Sequence, residues 1–536
     1  MNLRHACTIP YKTIHAELAT VGTRMTHAED LILAEGPQAY RAGASQMGSW
    51  PASRWSLPIL VILFGFALRV LYINHESVSG DEAFSMSVSQ LPLKQMMRML
   101  VQDFVHPPLH YFVLRGWSKL LGYGLLQARL LSVVFGTLAI VFIYLLAGYL
   151  FHRRTALLSA MLLSVSQLGV MFSQEVRPYA QFHFLALCSS YLFVRAFREG
   201  RPAYWWGFVG SAILMLYTDY FSVYLIAALL ILPVIYRRHC RLRLWWVLTG
   251  GALTFALYLP WMASGILRAA ANSGKTFMGT APWGAVQRYT FFSIVNSFNN
   301  GKPAGLRSDS PWWTYVVGGL LFGAPLVLLL KNLFAAKVRG ESAERLDREG
   351  IVMAGILWLV PIVLTLGVGR ISHIPYNVRY VSFCAAPYYI LVARAVFELP
   401  FNALRWCLVA LILVYSANSL RANYFMRWKE HWTEAFIYVE QNRKDGDCGV
   451  FLPDFVVPPQ WPITQAGRPS FRVIPRESLT SGLSECDRVW EVSWAPRDDW
   501  RWFRDNQAKN QALLATTHRK IDEKHYFGVG VALYSR

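Results

Sequence analysis

Eleven apolar blocks, most of them near the length of a membrane-crossing helix, constrain this chain more than any other feature. They cover residues 57–72, 125–150, 155–172, 180–197, 205–217, 222–236, 244–262, 312–330, 351–368, 381–396 and 403–416. A spanning helix needs ~20 mostly apolar residues. Several blocks fall short, but aromatic flanks extend them. Trp205 and Trp206, Trp245 and Trp246, and Trp312 and Trp313 stand at block ends, where interfacial belts form. Only 16% of the 536 residues are charged, against about 25% in a soluble protein. A net charge of +20 would suggest nucleic acid in a soluble chain. Here Lys and Arg fall largely in short loops between blocks, so they set topology and meet anionic headgroups, and no nucleic acid partner is expected.

Basic clusters at 152–154, 198–201, 237–243 and 331–348 belong on the cytoplasmic side. Placing all four there requires about eleven spans, with the N-terminus inside and the C-terminus outside. It also requires 110–121, which is short and carries Arg115 and Lys119, to lie in the interface. The polar clusters at 80–82, 106–108, 175–179, 219–220 and 373–380 then share the outer face. The fold expected is an α-helical polytopic membrane protein with a small α+β soluble C-terminal domain.

Three regions follow. Residues 1–54 are polar and lack the h-region of a signal peptide. They read as a cytoplasmic tail or as a mis-assigned start, since Met47 lies just before the first span. Residues 55–420 hold the membrane domain. Residues 421–536 read as an extracytoplasmic domain, with strands at 447–453, 488–494 and 526–534 and a helix at 431–442. Cys448 and Cys486 both fall there, and outside the cytoplasm they can pair. Cys188, Cys240, Cys384 and Cys407 read as packing residues, and no cysteine spacing suggests a metal. The Gly-, Asn- and Ser-rich stretch 268–311 is long enough to serve as a lid.

The chemistry-bearing residues sit in those outer clusters. Asp81 and Glu82 follow the first span, where paired carboxylates act as base and partner or hold a cation, unless they merely open a helix. His106 and His110 flank two prolines and can donate to phosphate oxygens. Glu175, Arg177 and Tyr179 form Glu-x-Arg-Pro-Tyr, and a guanidinium fork suits phosphate. Asp219 interrupts two apolar blocks, where ionisable groups are costly and often functional. His373 and Arg379 precede a late span, with Arg379 at headgroup depth.

Taken in order, Ser79-Gly80-Asp81-Glu82, His106-Pro107-Pro108-Leu109, Glu175-x-Arg177-Pro178-Tyr179 and Arg379-Tyr380 resemble the GT-C class of membrane glycosyltransferases. The similarity is to the bacterial members of the protein O-mannosyltransferase and lipid A aminoarabinose transferase type. It extends over roughly 55–435 and includes Leu68-Arg69, Arg129-Leu130-Leu131-Ser132 and Lys429-Glu430-His431-Trp432. The resemblance implies a polyprenyl-phosphate sugar donor and an acceptor hydroxyl on a lipid, glycan or protein. It implies Asp81 as base with Glu82 beside it, and Glu175 as a second acidic position in the cavity. His106, Arg177, Tyr179 and Arg379 fall near the donor phosphate and lipid, with His110, Asp219 and His373 elsewhere in the cavity. His106 stands where the aminoarabinose transferases have Lys, so donor and acceptor do not carry over. No cofactor is required, although Asp81, Glu82 and Glu175 would suit a divalent cation if they converged. The expected location is the bacterial cytoplasmic (inner) membrane. The alternative is a transporter or flippase of a lipid-linked substrate, though the chain lacks the internal repeats common there.

Overall fold

The computed structural model describes residues 55–103, 105–271, 291–300, 312–339, 345–372, 377–425, 429–452, 472–474, 479–494 and 501–536. Residues 55–59 open the helix Ser56–Val70, and Leu60–Arg536 form one compact unit.

Among the described residues, five helices are long and apolar enough to cross a membrane: Leu125–Leu150, Leu244–Gly265, Trp312–Ala335, Arg348–Ile371 and Asn402–Phe425. A sixth span arises if Arg153–Val165 and Gln167–Ser173, bent by 60°, count as one. Ser56–Val70, Pro202–Leu216 and Ser222–Ile235 are apolar but shorter. The helices alone therefore do not establish a count of eleven. Leu248, Phe255 and Leu257 on one of these helices and Leu320 and Val327 on another are exposed. So extensive an apolar surface is what lipid covers and what a soluble monomer avoids.

The bent pair explains a buried cation. A helix that stops leaves its last carbonyls without intrahelical partners. Arg69 supplies them: its guanidinium donates to Leu163 O at 3.1 Å and to Ser164 O at 3.3 Å. It also donates to Ser173 Oγ at 3.1 Å, in the second half of the pair. One side chain thus holds both halves of the break.

Leu109–Leu121 is a helix of 13 residues, too short to cross, as its length and charge led one to expect. The stretch 268–311 is not one continuous loop. Residues 268–271 continue the helix Leu244–Ala271, and Phe291–Asn300 is a helix. Ile294 and Phe298 of that helix are buried, and Tyr388 Oη donates to Asn299 Oδ1 at 3.0 Å. Apolar and aromatic anchors therefore pack this segment into the bundle. The remainder of 268–311 lies outside the described residues.

The C-terminal region carries a five-stranded sheet in the order β2-β1-β3-β5-β4. The strands are β1 Cys448–Leu452, β2 Arg472–Val473, β3 Arg488–Trp494, β4 Arg519–Tyr526 and β5 Val529–Ser535. β1 runs parallel to β2 and β3, while β5 runs antiparallel to β3 and β4. Both faces are covered. Trp432, Phe436 and Val439 of the helix Trp432–Asn442 pack with Trp490, Val492 and Val531 on one face. Leu479, Leu483 and Leu514 pack with Val450, Val489 and Tyr534 on the other. The expected strand 526–534 is two strands, broken at Gly528, whose φ of +71° suits a tight hairpin. Cys448 and Cys486 are disulfide-bonded, with Cα atoms 6.1 Å apart.

Candidate active site

Asp81 owes its place to a helix start. Ser79 caps the helix Gly80–Gln90: its hydroxyl accepts from Glu82 N at 3.3 Å, while Glu82 Oε2 accepts from Ser79 N at 3.1 Å. This reciprocal capping box fixes the turn. It sends the neighbouring carboxylates opposite ways. Asp81 is 48% exposed, and Glu82 is fully buried.

Glu82 is the hub of a buried ion cluster. Arg129, from the helix Leu125–Leu150, grips it with two bonds of 2.9 and 3.0 Å. The same guanidinium donates to the carbonyls of Ile73, Glu76 and Ser77. Lys429 Nζ lies 3.0 Å from Glu82 Oε2 and 3.4 Å from Glu175 Oε1. Val176 N completes the set, donating to Glu82 Oε1 at 3.1 Å. Burial works against the Glu82 carboxylate, but Arg129 and Lys429 outweigh it and hold its carboxyl far below the usual range. Glu82 and Glu175, expected beside Asp81 in the chemistry, are therefore occupied with structure. The three carboxylates do not form one ligand set. Among the described residues no group of three or more His, Cys, Asp or Glu is placed to hold a metal ion.

Asp81 faces a second, more open cluster. Arg379 Nη1 donates to Asp81 Oδ2 at 3.0 Å. Arg177 Nη1 donates to the Asp81 carbonyl and to Ser85 Oγ, each at 3.2 Å. The guanidinium carbons of Arg177 and Arg379 lie 5.9 and 5.6 Å from the centre of the Tyr179 ring. Arg177 above all, then Arg379, against the opposing effect of burial, lowers the Asp81 carboxyl to about 2. Asp81 is thus ionised throughout the physiological range.

His106 sits differently from expectation. Arg177 Nη2 lies 2.6 Å from His106 Nε2. A guanidinium has only hydrogens to offer, so Nε2 accepts and the ring proton belongs on Nδ1. Burial, then Arg177, keeps the imidazole neutral well below its ordinary value. His106 orients Arg177 and adds no positive charge of its own.

Arg379 is held from behind. Asn377 Oδ1 accepts from Arg379 N at 3.0 Å and opens the 3₁₀ helix Val378–Cys384. Ser382 Oγ donates to Arg379 O at 3.0 Å, and His183 Nε2 is 2.7 Å from that hydroxyl. Behind Arg177 runs a polar chain from His110 to Gln181 to Thr218, with links of 3.3 and 3.2 Å. Asp219, next in sequence, accepts from Phe221 N at 2.9 Å in a tight turn. Burial raises its carboxyl to about 7, with the Phe221 amide and Arg177 opposing. His373 lies outside the described residues.

The structure thus brings Asp81, His106, Arg177, Tyr179 and Arg379 together from four separate stretches of chain. Sequence reasoning gave no role to Arg129, Lys429, Ser382 and His183. The Ser79-x-x-Glu82 spacing was the signal that could have assigned Glu82 to the helix cap.

Residues 105–263 match the dolichyl-phosphate-mannose-protein mannosyltransferase family. A stretch of 163 residues is 26% identical to an uncharacterised protein of Aquifex aeolicus (strain VF5), spanning 30% of this chain and 32% of that protein. The fold is similar to that of ArnT from Cupriavidus metallidurans, both bound to undecaprenyl phosphate and in the apo state. Each comparison gives a TM-score of 0.53 at 14% identity and covers 90% of this chain and 98% of the other. By fold, then, the chain is a polytopic helical protein similar to ArnT over most of its length, with one stretch that matches the mannosyltransferase family.

Proposed function

We propose that this protein moves a single sugar from a polyprenyl-phosphate donor to an acceptor hydroxyl at the outer face of a bacterial cytoplasmic membrane, inverting the anomeric centre. The observation that carries this reading is the half-exposed Asp81 carboxylate paired to Arg379 at 3.0 Å, with Arg177 beside it. A base and two fixed cations at one opening are what transfer from a phosphate leaving group requires. The similar fold of ArnT, seen with undecaprenyl phosphate, supports a lipid-phosphate donor. The Cys448–Cys486 disulfide supports an extracytoplasmic C-terminal region.

In this reading the donor phosphate binds Arg379 and Arg177, and His106 holds Arg177 in aim. The phosphate takes over part of Arg379, which relieves Asp81 of its strongest direct partner and raises its basicity when it is needed. Asp81 then removes the proton from the acceptor hydroxyl. The oxygen attacks the anomeric carbon through an oxocarbenium-like transition state as the lipid phosphate leaves. Each fixed donor to developing charge contributes about 3 kcal/mol.

Purified protein in liposomes with a polyprenyl-phosphate sugar and candidate acceptors tests this. The expected result is transfer of one sugar with inverted anomeric configuration, read by NMR of the product. Retained configuration, or no transfer with any such donor, would contradict it.

A further inference from the structure

The buried ion cluster ties the C-terminal region to the loop that presents Asp81. Lys429 lies three residues before the helix Trp432–Asn442 that opens this region. It is 4% exposed, and its ammonium bridges Glu82 and Glu175. A second tie runs beside it. Thr433 N donates to Ser77 Oγ at 2.9 Å, and Ser77 Oγ donates to Thr433 Oγ1 at 2.9 Å. The start of the helix is fixed in turn to the sheet: His431 N donates to Phe527 O at 2.9 Å, at the turn between β4 and β5. On the other side of residues 73–82, Arg129 holds three carbonyls and Glu82. The segment is therefore clamped between a bundle helix and the C-terminal region.

We propose that Lys429 is a positioning residue through which the C-terminal region locks the Asp81 loop in its working geometry. The placement of Asp81 as base rests on the function proposed above; the lock itself does not. Glu82 Oε2 accepts at once from Lys429 Nζ and from Ser79 N, the amide that closes the capping box. Withdrawing the ammonium leaves that oxygen to Arg129 Nη2, at 3.0 Å, and the cap amide, and so loosens the turn on which Asp81 stands. A C-terminal region displaced by a partner or an acceptor would pull Lys429 with it and disengage the base. The cluster also explains why this lysine is tolerated in the interior. Two carboxylates and two cations balance, which a buried charge demands.

Removing Lys429 alone would leave two buried carboxylates sharing one arginine, so the informative variant is the charge-balanced pair Lys429→Met with Glu175→Gln. Two measurements on the full-length protein are decisive. Hydrogen exchange over residues 77–83 should quicken at least tenfold in the pair, while exchange in β3 and β5 stays at the wild-type rate. In the transfer assay kcat should fall at least tenfold with donor KM changed less than threefold. Lys429→Arg should restore most of kcat, and Thr433→Val should lower it about threefold. Unchanged exchange over 77–83 in the pair would overturn the proposal whether or not the wild type transfers sugar. A kcat within twofold of wild type would also overturn it. So would equal quickening of exchange throughout the chain, which is the mark of a merely stabilising residue.

Discussion

At Asp81 one carboxylate oxygen meets Arg379 at 3.0 Å while the side chain stays half-exposed. Replacing Arg379 by Lys keeps the charge but removes the fork that addresses the carboxylate and a phosphate together. The expected outcome is a 10- to 100-fold loss of kcat/KM carried largely by a higher KM for the donor. Steady-state kinetics against donor concentration checks it, and unchanged donor KM would count against a phosphate at Arg379. Much of this cluster was legible in the sequence, because Asp81, Arg177, Tyr179 and Arg379 stand in short, distinctive motifs at span ends. The division of labour between Asp81 and Glu82 was not. It depends on Arg129 and Lys429, which lie 47 and 347 residues from Glu82. The acceptor role of His106 likewise depends on an arginine 71 residues away.

Among the elements, the sheet was legible where strands are apolar and illegible where they are not. β1 follows a continuous apolar run and β3 a mostly apolar one, and both are buried along most of their length. β4 is almost wholly exposed and reads Arg-Lys-Ile-Asp-Glu-Lys-His-Tyr, so it has no buried face to leave a pattern. It lies at the sheet edge, where charge discourages pairing with other chains. β3 carries one misfit. Glu491 is 1% exposed between β5 and the helix Arg501–Ala515, with Tyr534 Oη and Gln511 Nε2 each 3.4 Å from Oε2. Its Oε1 is buried without a partner. Burial raises this carboxyl from 4.5 to about 7, although both hydrogen bonds oppose it. An acid whose folded pKa is raised binds more protons folded than unfolded, so its contribution is complete below pH 4.5. That contribution is lost as pH climbs to about 7. Glu491→Gln should flatten this limb and stabilise the C-terminal region above pH 7 by on the order of 3 kcal/mol. Thermal melts at pH 5 and pH 8 read it out; a variant with the wild-type pH dependence would refute the assignment.

On the scale of the whole molecule, apolar blocks announced a polytopic bundle. Length alone was a poorer guide. Ser56–Val70, Pro202–Leu216 and Ser222–Ile235 are shorter than a full span, and the pair Arg153–Val165 and Gln167–Ser173 bends by 60° over Arg69. Such breaks need a partner for the freed carbonyls, and that partner comes from another helix, out of reach of any local pattern. What the bundle achieves is the convergence at Asp81, and the central claim is that this convergence transfers sugar. The most direct measurement is mass spectrometry of envelope glycans and glycolipids from a deletion strain, complemented with wild-type protein or Asp81→Asn at matched membrane levels. The account predicts one species that loses a single sugar mass on deletion and regains it only with the wild type. Full restoration by Asp81→Asn, or an unaltered glycan profile on deletion, would contradict it.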